Sequence, residues 1–186
     1  CCQYSHSAVE ATLALLAERP IAPGAIRSIR VETHRLGMTL DNRAPATTLA
    51  AKFSMPHILA ATCQLGHAGA EAFAQSTLTD PAMAAMRARV ELGRFAPDLP
   101  WPTDRPARVT LEFDDGTRRT AECLSARGGP DRPFAQDEIL AKIRGIAAPA
   151  YPAMPDVLAA LVAGEMDGLD KPWAVQVAAM TAGAGR

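Results

Sequence analysis

The chain has 186 residues with a hydrophobic content of 48%, which is enough apolar material for one domain with a real core but too little for two full domains. Its formal net charge is −1, from 19 basic and 20 acidic residues, so no overall field would recruit nucleic acid or an anionic membrane. The apolar runs are far shorter than the roughly 20 residues that span a bilayer. We therefore expect a cytoplasmic protein with neither nucleic acid nor membrane as a partner.

The first elements predicted along the chain are a helix and a strand. Residues 7–19 carry apolar side chains at helical spacing and are followed by Pro20, which ends the predicted helix. Residues 26–34 alternate apolar with polar positions, and Ile29 and Val31 share one face, as in a half-buried strand. The loop that follows, up to position 46, is long enough to be functional.

A dense apolar segment with an internal proline comes next, at residues 50–61. Proline is tolerated in the first turn of a helix and rarely further in. Ser54 is therefore predicted to cap a helix over residues 55–65, with Gly66 just past its end.

Lys52 and His57 flank the N-terminus of this predicted helix. Unpaired N–H groups and the positive end of the helix dipole favour an anion at such a position. The local chemistry suits a carboxylate.

Two further helical segments follow. Residues 68–73 form the first, and Thr79 or Asp80 can cap the second. The apolar side chains predicted to point inward from the second segment are Met83, Met86 and Val90. Arg87 and Arg89 are predicted to form its solvated face.

The pattern then turns to β structure. Residues 90–93 are a candidate short strand. Residues 107–113 alternate cleanly, residues 114–117 supply a turn, and residues 118–124 return as the partner strand. We expect an antiparallel hairpin here.

The remaining sequence predicts a turn at residues 128–130 and helices over residues 136–144, 155–161 and 172–180. The buried stripe expected on the first of these helices consists of Ile139, Leu140 and Ile143. Helices and antiparallel strands without strict β-α-β alternation predict a single α+β domain over residues 1–186, with a small, mainly antiparallel sheet covered by helices. The pattern leaves the strand order open.

The four cysteines stand at positions 1, 2, 63 and 123, without the spacing of a disulfide framework or of a zinc site. Cys63 and Cys123 fall where a small buried hydrophobe is normal. Metal binding by Cys1 and Cys2 near His6 is an alternative, although adjacent cysteines rarely chelate well. We predict reduced thiols, no metal and no cofactor.

Three stretches of the chain carry motifs. They read Cys1-Cys2-Gln3-Tyr4-Ser5-His6-Ser7-Ala8-Val9-Glu10-Ala11, Ala51-Lys52-Phe53-Ser54-Met55-Pro56-His57 and Gly128-Gly129-Pro130-Asp131-Arg132-Pro133-Phe134. In that order they resemble the CC-x-Y-T-H-x-A-x-D-A, AKFS-x-P-Y and G-D-P-x-x-P-L signatures in the C-terminal domain of the MmgE/PrpD family. That family includes 2-methylcitrate dehydratase, cis-aconitate decarboxylase and iminodisuccinate epimerase.

The resemblance implies an α+β fold and a lyase or isomerase, as in propionate metabolism, that acts on a small di- or tricarboxylate without a metal. Such a reaction needs cations to hold charge and a group that moves a proton. Histidine suits the proton transfer because its unperturbed pKa is roughly 6.5. The candidate catalytic residues are His6, Lys52 and His57, and the candidate substrate-binding residues are Lys52 and Ser54.

Some of these residues also have an interpretation in which they take no part in catalysis. Lys52 could be a solvated lysine, and His6 could cap the first helix, while His34 and His67 have no counterpart in the motifs. The family usually has tyrosine where His57 stands, so in this chain either an imidazole takes over the role of the phenol or that role is lost. The alternative hypothesis is therefore a noncatalytic lid or dimerisation module that has kept the fold.

Family members carry an all-helical domain upstream, and this sequence opens inside a motif. We therefore expect that helical domain to be a missing partner, and we expect the protein to be a homodimer. The isolated chain should have little turnover, because a cleft between domains loses donors and water exclusion when one side is absent.

Overall fold

The computed structural model describes residues 1–18, 21–164 and 170–185. It divides into two compact units, Cys1–Arg132 and Pro133–Arg186. Arg19 and Pro20, the predicted end of the first helix, lie outside the described residues. The α+β class is confirmed, and the single-domain organisation stays a prediction.

The first unit contains a four-stranded sheet with the order β2-β1-β3-β4. The strands are β1 (Ile26–Thr33), β2 (Val90–Arg94), β3 (Ala107–Phe113) and β4 (Arg118–Cys123). β1 runs parallel to β2 and antiparallel to β3, and β3 pairs antiparallel with β4, which confirms the predicted hairpin. Ile29 and Val31 are fully buried on one face of β1, as the alternation predicted.

Five helices of this unit are described: α1 (His6–Glu18), α2 (Thr48–Lys52), α3 (Met55–Leu65), α4 (Gln75–Thr79) and α5 (Pro81–Ala88). Short 3-10 turns lie at Gln3–Ser5, Pro23–Ala25, Gly37–Thr39 and Ala70–Phe73. α1 packs against β3, β4 and α3, and α3 also packs against α5 and β2. The core therefore joins one face of the sheet to α1 and α3.

α3 begins and ends where the sequence predicted. The Ser54 hydroxyl caps it, Pro56 lies in its first turn, and Gly66 ends it with a φ of 74°. Because that φ is in the left-handed region, glycine is the residue that fits there at least cost. Every α3 residue from Met55 to Cys63 is buried, so this helix is the centre of the unit.

The predicted solvated face of α5 is wrong at Arg87. Asp80 caps α5 as expected, but Arg87 is only 6% exposed. The reason is helical spacing, because Arg87 follows Met83 by about one turn and so shares its inward face. Val90, predicted to lie inward from this helix, is buried in β2 instead.

The second unit consists of the predicted helices, α6 (Gln136–Ala147), α7 (Met154–Ala163) and α8 (Trp173–Met180). The expected buried stripe on α6 is wrong, because Ile139 is 47% exposed and no residue of α6 is buried. Within this unit α6 packs on α7 and α7 packs on α8. Across the described parts of both units, no helix combines the length and apolarity that crossing a bilayer requires.

Candidate functional site

The first two sequence motifs meet through their backbones. The Cys2 N–H donates to the Lys52 carbonyl at 2.8 Å. The Ser5 hydroxyl donates to the Cys2 carbonyl at 2.6 Å, which fixes the turn that leads into α1. His6 is the first residue of α1. The fold therefore brings the segment that carries His6 against the segment that carries Lys52.

Both of these side chains reach solvent. His6 Nε2 lies 3.4 Å from the Cys1 carbonyl oxygen. Lys52 is the last residue of α2, where a cation is favoured by the negative end of the helix dipole. An exposed imidazole and an exposed ammonium group are thus present on adjoining segments.

The N-terminus of α3 does not offer the predicted unpaired N–H groups. The Met55 N–H donates to the Leu40 carbonyl at 2.7 Å, and the His57 N–H donates to the Ser54 hydroxyl at 3.0 Å. Pro56 has no N–H to give. The expectation of an open anion site at this helix end is therefore wrong.

Ser54 is fully buried, and its hydroxyl is used twice. It accepts from the His57 N–H and donates to the Asn42 carbonyl. These bonds occupy the proton and one lone pair of the hydroxyl. Ser54 therefore links α3 to the loop before α2 through these two hydrogen bonds. Its substrate-binding role stays a prediction.

His57 is fully buried, and both ring nitrogens have partners. Nε2 lies 2.9 Å from the Ala72 carbonyl, and Nδ1 lies 3.3 Å from Arg87 Nη1. A carbonyl only accepts and a guanidinium only donates, so Nε2 carries the proton and Nδ1 accepts. In this arrangement neither nitrogen is open to a substrate.

Arg87, which the sequence reasoning missed, is the centre of this buried network. Besides His57, its guanidinium donates to the carbonyls of Arg43 at 3.1 Å, Thr77 at 3.4 Å and Leu78 at 3.3 Å. It thereby ties α5 to the loop before α2 and to α4. Its spacing from Met83 is the sequence signal that could have indicated its burial.

Burial lowers the pKa of His57, and the positive charge of Arg87 acts in the same direction, while the hydrogen bond to Ala72 opposes them. Burial also lowers the pKa of His34, which is 8% exposed. Both imidazoles are therefore held in the neutral form.

We expect the free energy of unfolding to fall as the pH drops from about 7 to about 5. The unfolded chain takes up protons near pH 6.5 while the folded chain does so at lower pH, so protonation favours unfolding. Each buried histidine contributes a slope of up to about 1.4 kcal/mol per pH unit below that point. Denaturant unfolding across this range measures the effect.

His57→Gln should reduce the slope and leave the share that His34 contributes, since the amide keeps a donor and an acceptor but does not titrate in this range. His67→Gln is the matched control, because His67 is exposed. An unchanged slope in His57→Gln would contradict the assignment of a buried neutral imidazole.

The third motif is anchored to the first through Glu10, another residue whose role sequence reasoning missed. Glu10 Oε1 accepts from the Arg127 N–H at 3.2 Å, and its carboxylate lies 3.8 Å from Arg132 Nη2. The predicted turn is present, closed by a bond of 2.7 Å from the Gly128 N–H to the Arg132 carbonyl. α1 therefore connects all three motifs.

The four cysteines are free thiols. Cys63 and Cys123 are buried as predicted, and burial raises the pKa of the Cys63 thiol to about 12, which keeps it protonated and unreactive. Among the described residues, no group of three or more His, Cys, Asp or Glu side chains could hold a metal ion.

The family assignment rests on a match over most of the chain. The family model of the MmgE/PrpD C-terminal domain matches residues 1–162, a range that includes all three motifs. No curated protein matches the chain. The chain therefore belongs to the MmgE/PrpD family and carries its C-terminal domain over residues 1–162.

Proposed function

We propose that this chain is part of an enzyme, a lyase or isomerase similar to 2-methylcitrate dehydratase, that acts on a small di- or tricarboxylate by removing a proton next to a carboxylate. Family membership supports the class of reaction. The observation that carries the proposal for this chain is the hydrogen bond between Cys2 and Lys52, because it places the segments of His6 and Lys52 side by side.

In this proposal Lys52 binds a substrate carboxylate and His6 moves the proton. Removing a proton from the adjacent carbon pushes negative charge onto the carboxylate, and a nearby ammonium group stabilises that charge. An imidazole can accept the proton and return it near neutral pH. Both side chains are exposed, so a substrate can reach them.

Ser54 and His57 enter the proposal as positioning residues. Both are fully buried, and their hydrogen bonds fix the start of α3, directly after the segment that holds Lys52. A direct role of His57 in catalysis needs one ring nitrogen to leave its partner. That role stays a prediction, and the His57→Gln variant tests it when turnover is measured beside stability.

The proposal is tested with a panel of substrates. The intact protein is incubated with 2-methylcitrate, cis-aconitate and iminodisuccinate in deuterated water, and products and deuterium incorporation are followed by NMR. We expect conversion of one of them, with exchange at the carbon next to a carboxylate. No conversion and no exchange with any of the three would contradict the proposal.

Lys52→Ala should slow turnover of the intact enzyme by roughly ten- to a hundredfold. It removes a charge-assisted contact with the substrate, a kind of contact typically worth about 1.5–3 kcal/mol. Lys142→Ala is the matched control, since it removes another exposed lysine, in α6. Equal rates for Lys52→Ala and wild type, with both shown to be folded, would reduce Lys52 to a surface residue.

One observation favours the alternative, a noncatalytic lid or dimerisation module. Leu49 is 65% exposed and Phe53 is 51% exposed, on either side of Lys52 along the chain. Apolar side chains exposed together are typical of surfaces that another protein covers. Sedimentation of Leu49→Ser beside wild type measures this, because a homodimer held by this surface loses affinity in the variant.

A further inference from the structure

A cavity of about 260 Å³ opens at one end of the sheet. β1 and β2 are parallel, so their carboxyl ends meet there, and the antiparallel β3 begins at the same edge. The segments that line the cavity are residues 34–36, 94–95, 97–99 and 104–106. The lining includes none of His6, Lys52, Ser54 and His57, so this cavity is distinct from the proposed catalytic residues.

The charged side chains that line the cavity have a net charge of +1. Three guanidinium groups face two carboxylates, and the carboxylates already have partners: Asp98 pairs with Arg94, and Asp104 Oδ2 lies 3.7 Å from Arg105 Nε. Arg35 has no hydrogen bond or ion pair with any described residue. An anionic group in the cavity would therefore find an uncompensated guanidinium.

The side chain of His34 also lines the cavity, and it adds no charge. Its Nε2 lies 3.2 Å from the Tyr4 carbonyl, so Nε2 carries the proton and Nδ1 is an acceptor without a hydrogen bond to any described residue. The backbone packs tightly here, since a Cβ on Gly37 would come 2.6 Å from Thr33 Oγ1.

The rest of the lining is apolar and stiff. The side chains are those of Leu36, Phe95, Pro97, Leu99 and Pro106. Phe95 is buried, and the guanidinium of Arg108 lies 4.9 Å from its ring centroid. Proline restricts the backbone, so these walls keep their shape without a ligand, and less entropy is lost on binding.

We propose that this cavity binds a small carboxylate that has an apolar body. Its volume is just below the roughly 300–1,000 Å³ of ordinary ligand pockets, which suits a molecule of the size of benzoate or butanoate. One surplus guanidinium matches one carboxylate, and the apolar walls match the body. A tricarboxylate fits worse, because its further charges meet Asp98 and Asp104 in the same cavity.

The proposal is tested by NMR titration of the full chain with benzoate, benzamide, citrate and inorganic phosphate. We expect saturable shifts at residues 34–36 and 94–99 with benzoate, and binding weaker by about tenfold or more with benzamide, which lacks the charge. Binding of citrate or phosphate as tight as that of benzoate would overturn the proposal, as would the absence of saturable benzoate shifts.

Two variants and a control separate this site from surface charge. Arg35→Gln should weaken benzoate binding by about tenfold or more, and Leu99→Glu should abolish it by placing a carboxylate on the apolar wall. Arg30→Gln is the control, since Arg30 also lies on an exposed part of the first unit, in β1. Equal weakening by Arg30→Gln, or no weakening by Arg35→Gln and Leu99→Glu, would overturn the proposal. Because the assay reads binding and not turnover, failure here leaves the proposed catalytic function unaffected.

Discussion

We expect the His6→Ala variant of the intact enzyme to lose roughly 10²- to 10⁴-fold in turnover, because that is the usual contribution of a general acid or base. The loss should lie mainly in kcat, since the imidazole acts in the transition state more than in substrate binding. His6 is exposed at the start of α1, and the variant should therefore fold. Steady-state kinetics and a thermal melt on the same preparation measure both quantities.

The control for His6→Ala is His67→Ala. His67 is also exposed, and its Nδ1 accepts a local bond from the Gly69 N–H, away from the three motifs. It should keep wild-type turnover. If His6→Ala also turns over at the wild-type rate, the proton is moved by another group, and His6 is only the first residue of a helix.

The local elements were predictable because their signals lie in adjacent residues. Ser54, Pro56 and Gly66 mark the start and end of α3 by their backbone preferences alone. Clean alternation on both sides of Asp115-Gly116 predicted the β3–β4 hairpin, which the structure confirms. Chain neighbours supply most of the information for such elements.

Long-range relations were not predictable in the same way. The parallel pairing of β1 with β2 joins strands separated by α2 to α5, and no local pattern specifies which edge of β1 is used. The cavity at the sheet end depends on that pairing, because its lining comes from segments that lie far apart in the sequence. The Cys2 to Lys52 bond likewise joins two motifs that only the fold brings together.

The four candidate site residues divide into two that are exposed, His6 and Lys52, and two that are buried, Ser54 and His57. His6 and Lys52 reach solvent, as residues that meet a substrate must. Ser54 and His57 were expected beside an open helix end, but that end is paired with Leu40 and with the Ser54 hydroxyl. A capping serine can serve either a ligand or its own helix, and sequence alone does not distinguish the two.

The buried network gives the largest effect on stability that we expect. Arg87→Met should lower the free energy of unfolding by about 3–5 kcal/mol, because it leaves buried carbonyls and the His57 Nδ1 without their donor, each at a cost of about 1–3 kcal/mol, partly offset by the apolar side chain. The melting temperature should fall by roughly 10 °C for a chain of this size. Denaturant unfolding and a thermal melt measure the two quantities.

Arg30→Met is the matched control for Arg87→Met, since the Arg30 side chain is 62% exposed and lies 4.0 Å from Glu32, and an ion pair made by an exposed arginine is worth at most about 1 kcal/mol. Arg87→Lys should recover only part of the stability, because an ammonium group cannot reproduce the fork that reaches Arg43, Thr77, Leu78 and His57 together. A loss below about 1 kcal/mol in Arg87→Met would mean that the network relaxes without its donor. In that case His57 would not be locked in one tautomer, and a direct part for it in proton transfer would become the better explanation of its place in the motif.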